Sequence, residues 1–223
     1  MRVKQITPHL TQLTKYMMIN CYLVHEDDGY TLVDTAVANS AEAILEAAGQ
    51  TPIRRIVLTH AHIDHVGSLE ELRPRLMETD ILCSARTARL MSGDHSLDAD
   101  EPQAKLRGGY PIVQTPPTHL LNDGDMVGSL RVVPAPGHTP GQIALFDTRD
   151  QTLIAGDAFS SIGGLTVSGK FNPLFPVLMF ATWHKPTALA SARQLADLKP
   201  ARIAVGHGGV VEPAAEALRK AIS

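Results

Sequence analysis

The stretch Thr59-His60-Ala61-His62-Ile63-Asp64-His65 decides how the rest of this chain is read. Three histidines and an aspartate fall within six positions. The apolar run Ile56-Val57-Leu58 precedes them and reads as a buried strand, while Val66-Gly67-Ser68-Leu69-Glu70-Glu71-Leu72 follows as the start of a helix. The polar residues therefore sit on a strand-to-helix loop, where a rigid scaffold can aim several side chains at one point. Imidazole and carboxylate together suit zinc, iron or manganese, and the two-residue offset lets His60 and His62 point the same way. In a chain with ten histidines, such density is poorly explained as a merely polar loop.

Three further residues extend the pattern. His138 lies in Pro136-Gly137-His138-Thr139-Pro140-Gly141, Asp157 in Ala155-Gly156-Asp157, and His207 in Gly206-His207-Gly208. Each follows a strand-like apolar run and is flanked by glycine, which allows tight turns and close approach. Taken in order, from Asn20 to His207, the pieces His-x-His-x-Asp-His, Gly-His-Thr-x-Gly, Gly-Asp and Gly-His-Gly resemble the metallo-β-lactamase superfamily of hydrolases. That resemblance implies an α/β fold, a four-layer αββα sandwich of two mixed β-sheets flanked by helices, with the metal site where the loops meet at one edge. It implies that His60, His62 and His138 hold one divalent ion, that Asp64, His65 and His207 hold a second, and that Asp157 bridges them. Zinc is the expected metal, with iron or manganese as alternatives. Two such cations would lower the pKa of a shared water from about 16 toward neutrality. The bridging hydroxide would then attack a carbonyl, with Asp64 as the catalytic carboxylate that orients it and takes or relays a proton.

Composition narrows the class. At 223 residues and 44% hydrophobic, the chain is expected to form a single domain over 1–223 with a large core. A net charge of −3 is no basic footprint, which disfavours an RNA- or DNA-cleaving enzyme, and no nucleic-acid partner is expected. The first residues lack the apolar core of a signal peptide and no run approaches a transmembrane helix, so a cytoplasmic location without membrane contact is expected. Cys21 and Cys83 both lie in strand-like contexts and read as buried small fillers, not as a disulfide scaffold.

Along the chain, strands are expected over Ile6–Leu13, Met18–His25, Tyr30–Asp34, Ile56–Thr59 and Ile81–Ser84. Between them come a helix over Ala41–Ala48, capped by Ser40 and stopped by Gly49, and a helix over Ser68–Leu76 that Pro74 distorts. This alternation is a layered α/β pattern. The stretch 85–118 loosens into Asp, Gly and Pro and is expected to be a lid or insertion over the metals. Strands resume at Thr118–Leu121, Leu130–Val133, Gln142–Asp147, Thr152–Ala155 and Ile203–Val205, with helices over Thr187–Leu198 and Pro213–Ile222.

The apolar, aromatic run after Asp157 suggests a substrate pocket made by Ile63, Phe159, Ile162, Phe175, Phe180 and Trp183, with Tyr110 from the lid. Packing under the lid, or a homodimer contact, is the competing role for this run. The resulting reading is a dinuclear metal-dependent hydrolase acting on an ester, lactone or thioester of a small, partly apolar substrate. Residues 158–170 contain no Tyr, which counts against quorum-signal lactonases, and with about sixteen residues after His207 a glutathione-gripping helical region is not expected. The alternatives are a β-lactam hydrolase or an iron-dependent, persulfide dioxygenase-like oxidoreductase. Di-iron reductases are set aside because they usually carry Glu where His62 stands. A binding module on a decayed site is disfavoured by the presence of all seven ligands.

Overall fold

The computed structural model describes residues 1–223, which divide into two compact units, Met1–Gly93 with Gly109–Leu121 and Asp94–Gly108 with Asn122–Ser223. The stretch 85–118, read above as one insertion, is shared between them. It begins as a helix of the first unit, contributes 94–108 to the second and returns to the first at Gly109.

The first unit runs β1 (Arg2–Gln5), β2 (Leu10–Lys15), β3 (Ile19–Glu26), β4 (Gly29–Val33), α1 (Ala41–Ala48), β5 (Ile53–Val57), α2 (Ile63–Val66), α3 (Leu69–Leu72), β6 (Asp80–Ser84), α4 (Ala85–Met91) and β7 (His119–Leu121). These strands form one mixed sheet in sequential order. β1 to β4 pair antiparallel through short turns. β4 to β7 pair parallel, which requires long crossovers, and α1, α2–α3 and α4 lie within them. α1 buries Ala41, Ile44 and Ala48, a helical spacing, and ends on Gly49 at φ 61°. Because β4 and β5 are parallel neighbours, their C-terminal ends open at the same edge, and this brings Asp34 beside the ligand stretch.

Three expectations change here. The strand expected over Ile6–Leu13 is broken, because Ile6 and Thr7 N–H both donate to the Leu10 carbonyl and close a turn between β1 and β2. The helix expected over Ser68–Leu76 is α3 followed by a 3₁₀ turn at Arg73–Arg75, where Pro74 lacks a donor and fixes φ. A separate helical turn, α2, begins inside the ligand stretch. Gly67 separates α2 from α3. A Cβ there would lie 2.5 Å from the Ile63 carbonyl oxygen and 2.6 Å from Ala38 N, so only glycine lets these backbones lie together.

The second unit runs β8 (Met126–Val127), β9 (Leu130–Pro134), β10 (Ile143–Asp147), β11 (Thr152–Ile154), β12 (Phe159–Ser160), β13 (Thr166–Val167), α5 (Val177–Ala181), α6 (Lys185–Asp197), β14 (Arg202–Ala204) and α7 (Ala214–Ile222). Its mixed sheet has the order β14-β11-β10-β9-β8. β10 is antiparallel to both β9 and β11, and β14 is parallel to β11. Hence β9, β11 and β14 point the same way, and the segments bearing His138, Asp157 and His207 leave the sheet at one edge. Ala192 and Leu195 of α6, and Ala214, Leu218 and Ala221 of α7, recur at helical spacing and join Leu153, Phe159 and Ile203 in one core. α6 begins before the expected Thr187, because Pro186 stands in its first turn, where a missing N–H leaves no bond unmade. No helix is long and apolar enough to cross a membrane.

Candidate functional site

In the first unit the ligand stretch is held by residues from the end of β4. Thr35 N and Oγ1 donate to the His65 carbonyl at 2.7 and 3.0 Å, and Gly67 N donates to the Ala36 carbonyl at 2.9 Å. The anchor is Asp34, a buried carboxylate that the sequence reading treats only as a strand end. It accepts from Thr59 N at 2.8 Å, from Thr59 Oγ1 at 2.8 Å, and from His65 Nδ1 at 2.7 Å. Asp34 and Ala36 both take left-handed backbone, at φ 61° and 55°. Such strain in residues other than glycine is typical of sites where surrounding bonds fix the geometry.

Proton accounting assigns two tautomers in this set. His65 donates its Nδ1 proton to Asp34, which leaves a lone pair on Nε2. The Thr59 hydroxyl proton goes to Asp34, so its oxygen accepts from His60 Nδ1 at 3.0 Å, and His60 likewise keeps a lone pair on Nε2. The His60 ring lies 4.0 Å from that of His65 and 4.9 Å from that of His62. Ligand atoms of Asp64 and His65 come within 4.8 Å of each other. The histidines are buried and Asp64 is half-buried.

In the second unit, His138 Nε2 and His207 Nε2 approach the same oxygen of the buried Asp157, Oδ2, at 3.3 and 3.1 Å. His138 Nδ1 faces Ser168 Oγ at 3.2 Å and Thr182 Oγ1 at 3.3 Å. Both hydroxyl protons are committed elsewhere, Ser168 to the Asp157 carbonyl and Thr182 to the Leu178 carbonyl. His138 Nδ1–H is therefore the donor, and in the neutral ring Nε2 carries the lone pair. The turn is held by Trp183 N and His184 N, which donate to the carbonyls of His138 and Gly137 at 2.9 Å each. Gly137, at φ 132°, has no alternative, since a Cβ would lie 2.2 Å from Ala188 N.

These residues fit divalent cations. Each assigned histidine offers the Nε2 lone pair a metal needs, oriented by a partner on Nδ1. An imidazole lone pair set against a carboxylate oxygen, as at His138 and Asp157, is stabilised by a positive charge shared between them.

The apolar residues of the sequence reading divide. Ile63 is 52% exposed at the head of α2, and Tyr110 stands against His62 with ring centroids 4.7 Å apart. Burial pushes the Tyr110 phenol well above its ordinary range, with Arg86 opposing, so it stays protonated. Phe175 is buried with its ring 5.0 Å from that of His207. Ile162 is half-buried and Phe180 is exposed on α5. Phe159 lies fully buried in the second unit's core, and the buried Trp183 donates its indole N–H to the Ala104 carbonyl at 2.9 Å.

Residues 15–207 match the family model of the metallo-beta-lactamase superfamily, and the chain belongs to that superfamily. Its two mixed sheets with flanking helices are the sheets of that fold, and its buried histidines and aspartates are candidate metal ligands. The chain is 46% identical over 216 residues to the uncharacterised protein YobT of Bacillus subtilis (strain 168), a match spanning 96% of this chain and 93% of YobT. It is 30% identical over 197 residues to the hydroxyacylglutathione hydrolase of Cereibacter sphaeroides (strain ATCC 17029), spanning 80% of this chain and 67% of that protein. Among solved structures, TTHA1623 in a di-iron-bound form superposes with a TM-score of 0.67 at 25% identity, covering 92% of this chain and 94% of its own.

Proposed function

We propose that this chain is a dinuclear metal-dependent hydrolase that cleaves an ester-type bond, in an ester, lactone or thioester, of a small and partly apolar substrate. The observation that carries the reading is the buried Asp157 carboxylate with His138 and His207 Nε2 against one oxygen, in a member of a metallo-hydrolase superfamily. In this reading His60, His62 and His138 would hold one ion, Asp64, His65 and His207 would hold the second, and Asp157 would serve both. When bound, a pair of divalent cations acidifies a water molecule and polarises the carbonyl to be attacked. The Asp64 carboxylate would accept the proton released during attack on the substrate carbonyl and return it to the leaving oxygen or sulfur. The Nδ1 protons of His60, His65 and His138 stay with their partners, so these rings hold position and take no part in proton transfer. Phe171, Leu174, Val177 and Phe180 after Asp157 are exposed and would supply apolar contact for the acyl part.

The name of the Cereibacter sphaeroides relative supports hydrolysis of an acyl group. Zinc is the proposed occupant. Iron is the second reading, favoured by the di-iron form of TTHA1623. The test compares initial rates on an aryl ester, an acyl-homoserine lactone, a glutathione thioester and a chromogenic β-lactam, with metal-loaded and chelator-stripped protein. Metal-dependent turnover of one of the first three is expected. Equal rates with and without metal, or turnover of the β-lactam alone, would reject the proposal.

A further inference from the structure

Gly109 and Tyr110 lie across the head of the ligand stretch within the first unit. The Gly109 carbonyl accepts from Ile63 N at 3.0 Å. Ile63 opens α2, and the N–H groups of a helix's first turn have no acceptor inside the helix. This bond therefore anchors the turn that carries Asp64 and His65. One residue on, the Tyr110 ring stands edge-on to the His62 imidazole, with centroids 4.7 Å apart and planes at 62°. His62 also meets the His60 ring at 78°. The side-chain bonds of Asp34 go to Thr59 and His65, so the carboxylate that orients His60 and His65 does not reach His62.

We infer that Tyr110 is a positioning residue for His62, and that Gly109-Tyr110 forms a clamp which holds this one ligand in register with the others. The clamp acts on the ring's orientation and not on the reaction, and it rests on the metal-centre reading above. An aromatic edge contact shifts an equilibrium by about two- to tenfold. The same factor should appear in the affinity of whichever ion His62 serves.

The test uses the full chain as wild type, Tyr110→Phe and Tyr110→Leu. Each is stripped and titrated with Co²⁺ against a chromophoric chelator while the visible absorption of the bound ion is followed. Wild type and Y110F should take up two equivalents with affinities within about twofold of each other, since the ring is kept. Y110L should keep one equivalent unchanged, bind the other about fivefold more weakly and show a shifted visible band for it. Circular dichroism checks the fold, and Tyr110→Met, closer in length, replaces Y110L if that variant does not fold. A ring-less variant that holds both equivalents as wild type does would overturn the clamp and leave the metal centre standing. Equal weakening of both equivalents would also overturn it, because that is the signature of a general structural role. Wild-type protein that takes up no Co²⁺ would overturn the metal reading and the clamp with it.

Discussion

The first unit takes His60, His62, Asp64 and His65 from one stretch after β5, whereas the second takes His138, Asp157 and His207 from segments that follow three separate strands. The two arrangements place their orienting groups differently. Contiguous ligands share one backbone, so something outside the stretch must aim them. For His65 and His60 that is Asp34, at the end of the neighbouring parallel strand, which reaches His65 directly and His60 through Thr59. Dispersed ligands are aimed by the sheet, because β9, β11 and β14 run in the same direction. What remains is local, and two hydroxyls on His138 suffice. His60 and His65 therefore depend on one buried carboxylate, whereas His138 divides its dependence between two weaker neutral bonds.

The largest effect expected is from Asp157→Ala, which removes the carboxylate approached by both His138 and His207. Metal analysis should show affinity falling by more than about 100-fold, the upper end for changes outside the ligand sphere, and turnover should drop to background. Retention of both metals would break the account of the second set. Asp34→Asn comes next, at about 10- to 100-fold in metal affinity. Asparagine accepts the left-handed backbone at φ 61°, so the substitution reports the loss of the charge and of one acceptor oxygen, whereas alanine would add about 1 kcal/mol of backbone strain.

Ser168→Ala should cost less, about threefold, because Thr182 still accepts from His138 Nδ1. The double change Ser168→Ala with Thr182→Val should reach about tenfold, the lower end for second-layer partners. A chelator competition on the three proteins measures this. If Asp34→Asn weakens metal binding no more than Ser168→Ala, the contrast between one charge and several neutral bonds fails.

The smallest expected effect concerns stability, and both thiols belong to the first unit. Burial pushes the Cys83 thiol from 9.0 to about 12 and raises that of Cys21 further. Above pH 9 the unfolded chain gives up a thiol proton that the native chain keeps. The stabilisation is therefore complete below pH 9; for Cys83 it is lost between 9 and about 12, at about 1.4 kcal/mol per pH unit, and for Cys21 the loss continues to higher pH. Urea midpoints of wild type and Cys83→Ala at pH 8 and pH 10 should diverge in that sense, with wild type losing more. Thiol-reagent labelling at pH 8 should also be slow until the first unit opens. Labelling as fast as in denatured chain would contradict the burial.

Much of the site is legible one residue at a time. His60, His62, Asp64 and His65 stand out by density, while His138, Asp157 and His207 stand out by their position after strands and beside glycines. Asp34 is not legible in this way. A single carboxylate after Tyr30-Thr31-Leu32-Val33 looks like any strand terminator, and its importance comes from the parallel pairing of β4 with β5. Gly109 and Tyr110 sit in a segment without periodicity, so no pattern points to their place on Ile63 and His62. The aromatic residues after Asp157 show the opposite failure. Phe159 and Phe180 are equally apolar in the sequence, yet one lies in the core and the other is 62% exposed. Hydropathy measures a side chain's preference and carries no information about which of several apolar residues the core has room to accept.

The sequence by itself determined the donor types, their order and the alternation of strand and helix, because these depend on side-chain chemistry and on spacing along a single backbone. Only the tertiary structure decided which ring nitrogen of His60, His65 and His138 keeps its proton. It alone decided that Asp34 stands beside Thr59 and His65, and that three separate strands release His138, Asp157 and His207 at one edge. Those outcomes rest on hydrogen bonds and strand directions that join residues far apart in the chain, and they come into being only when the sheets have formed.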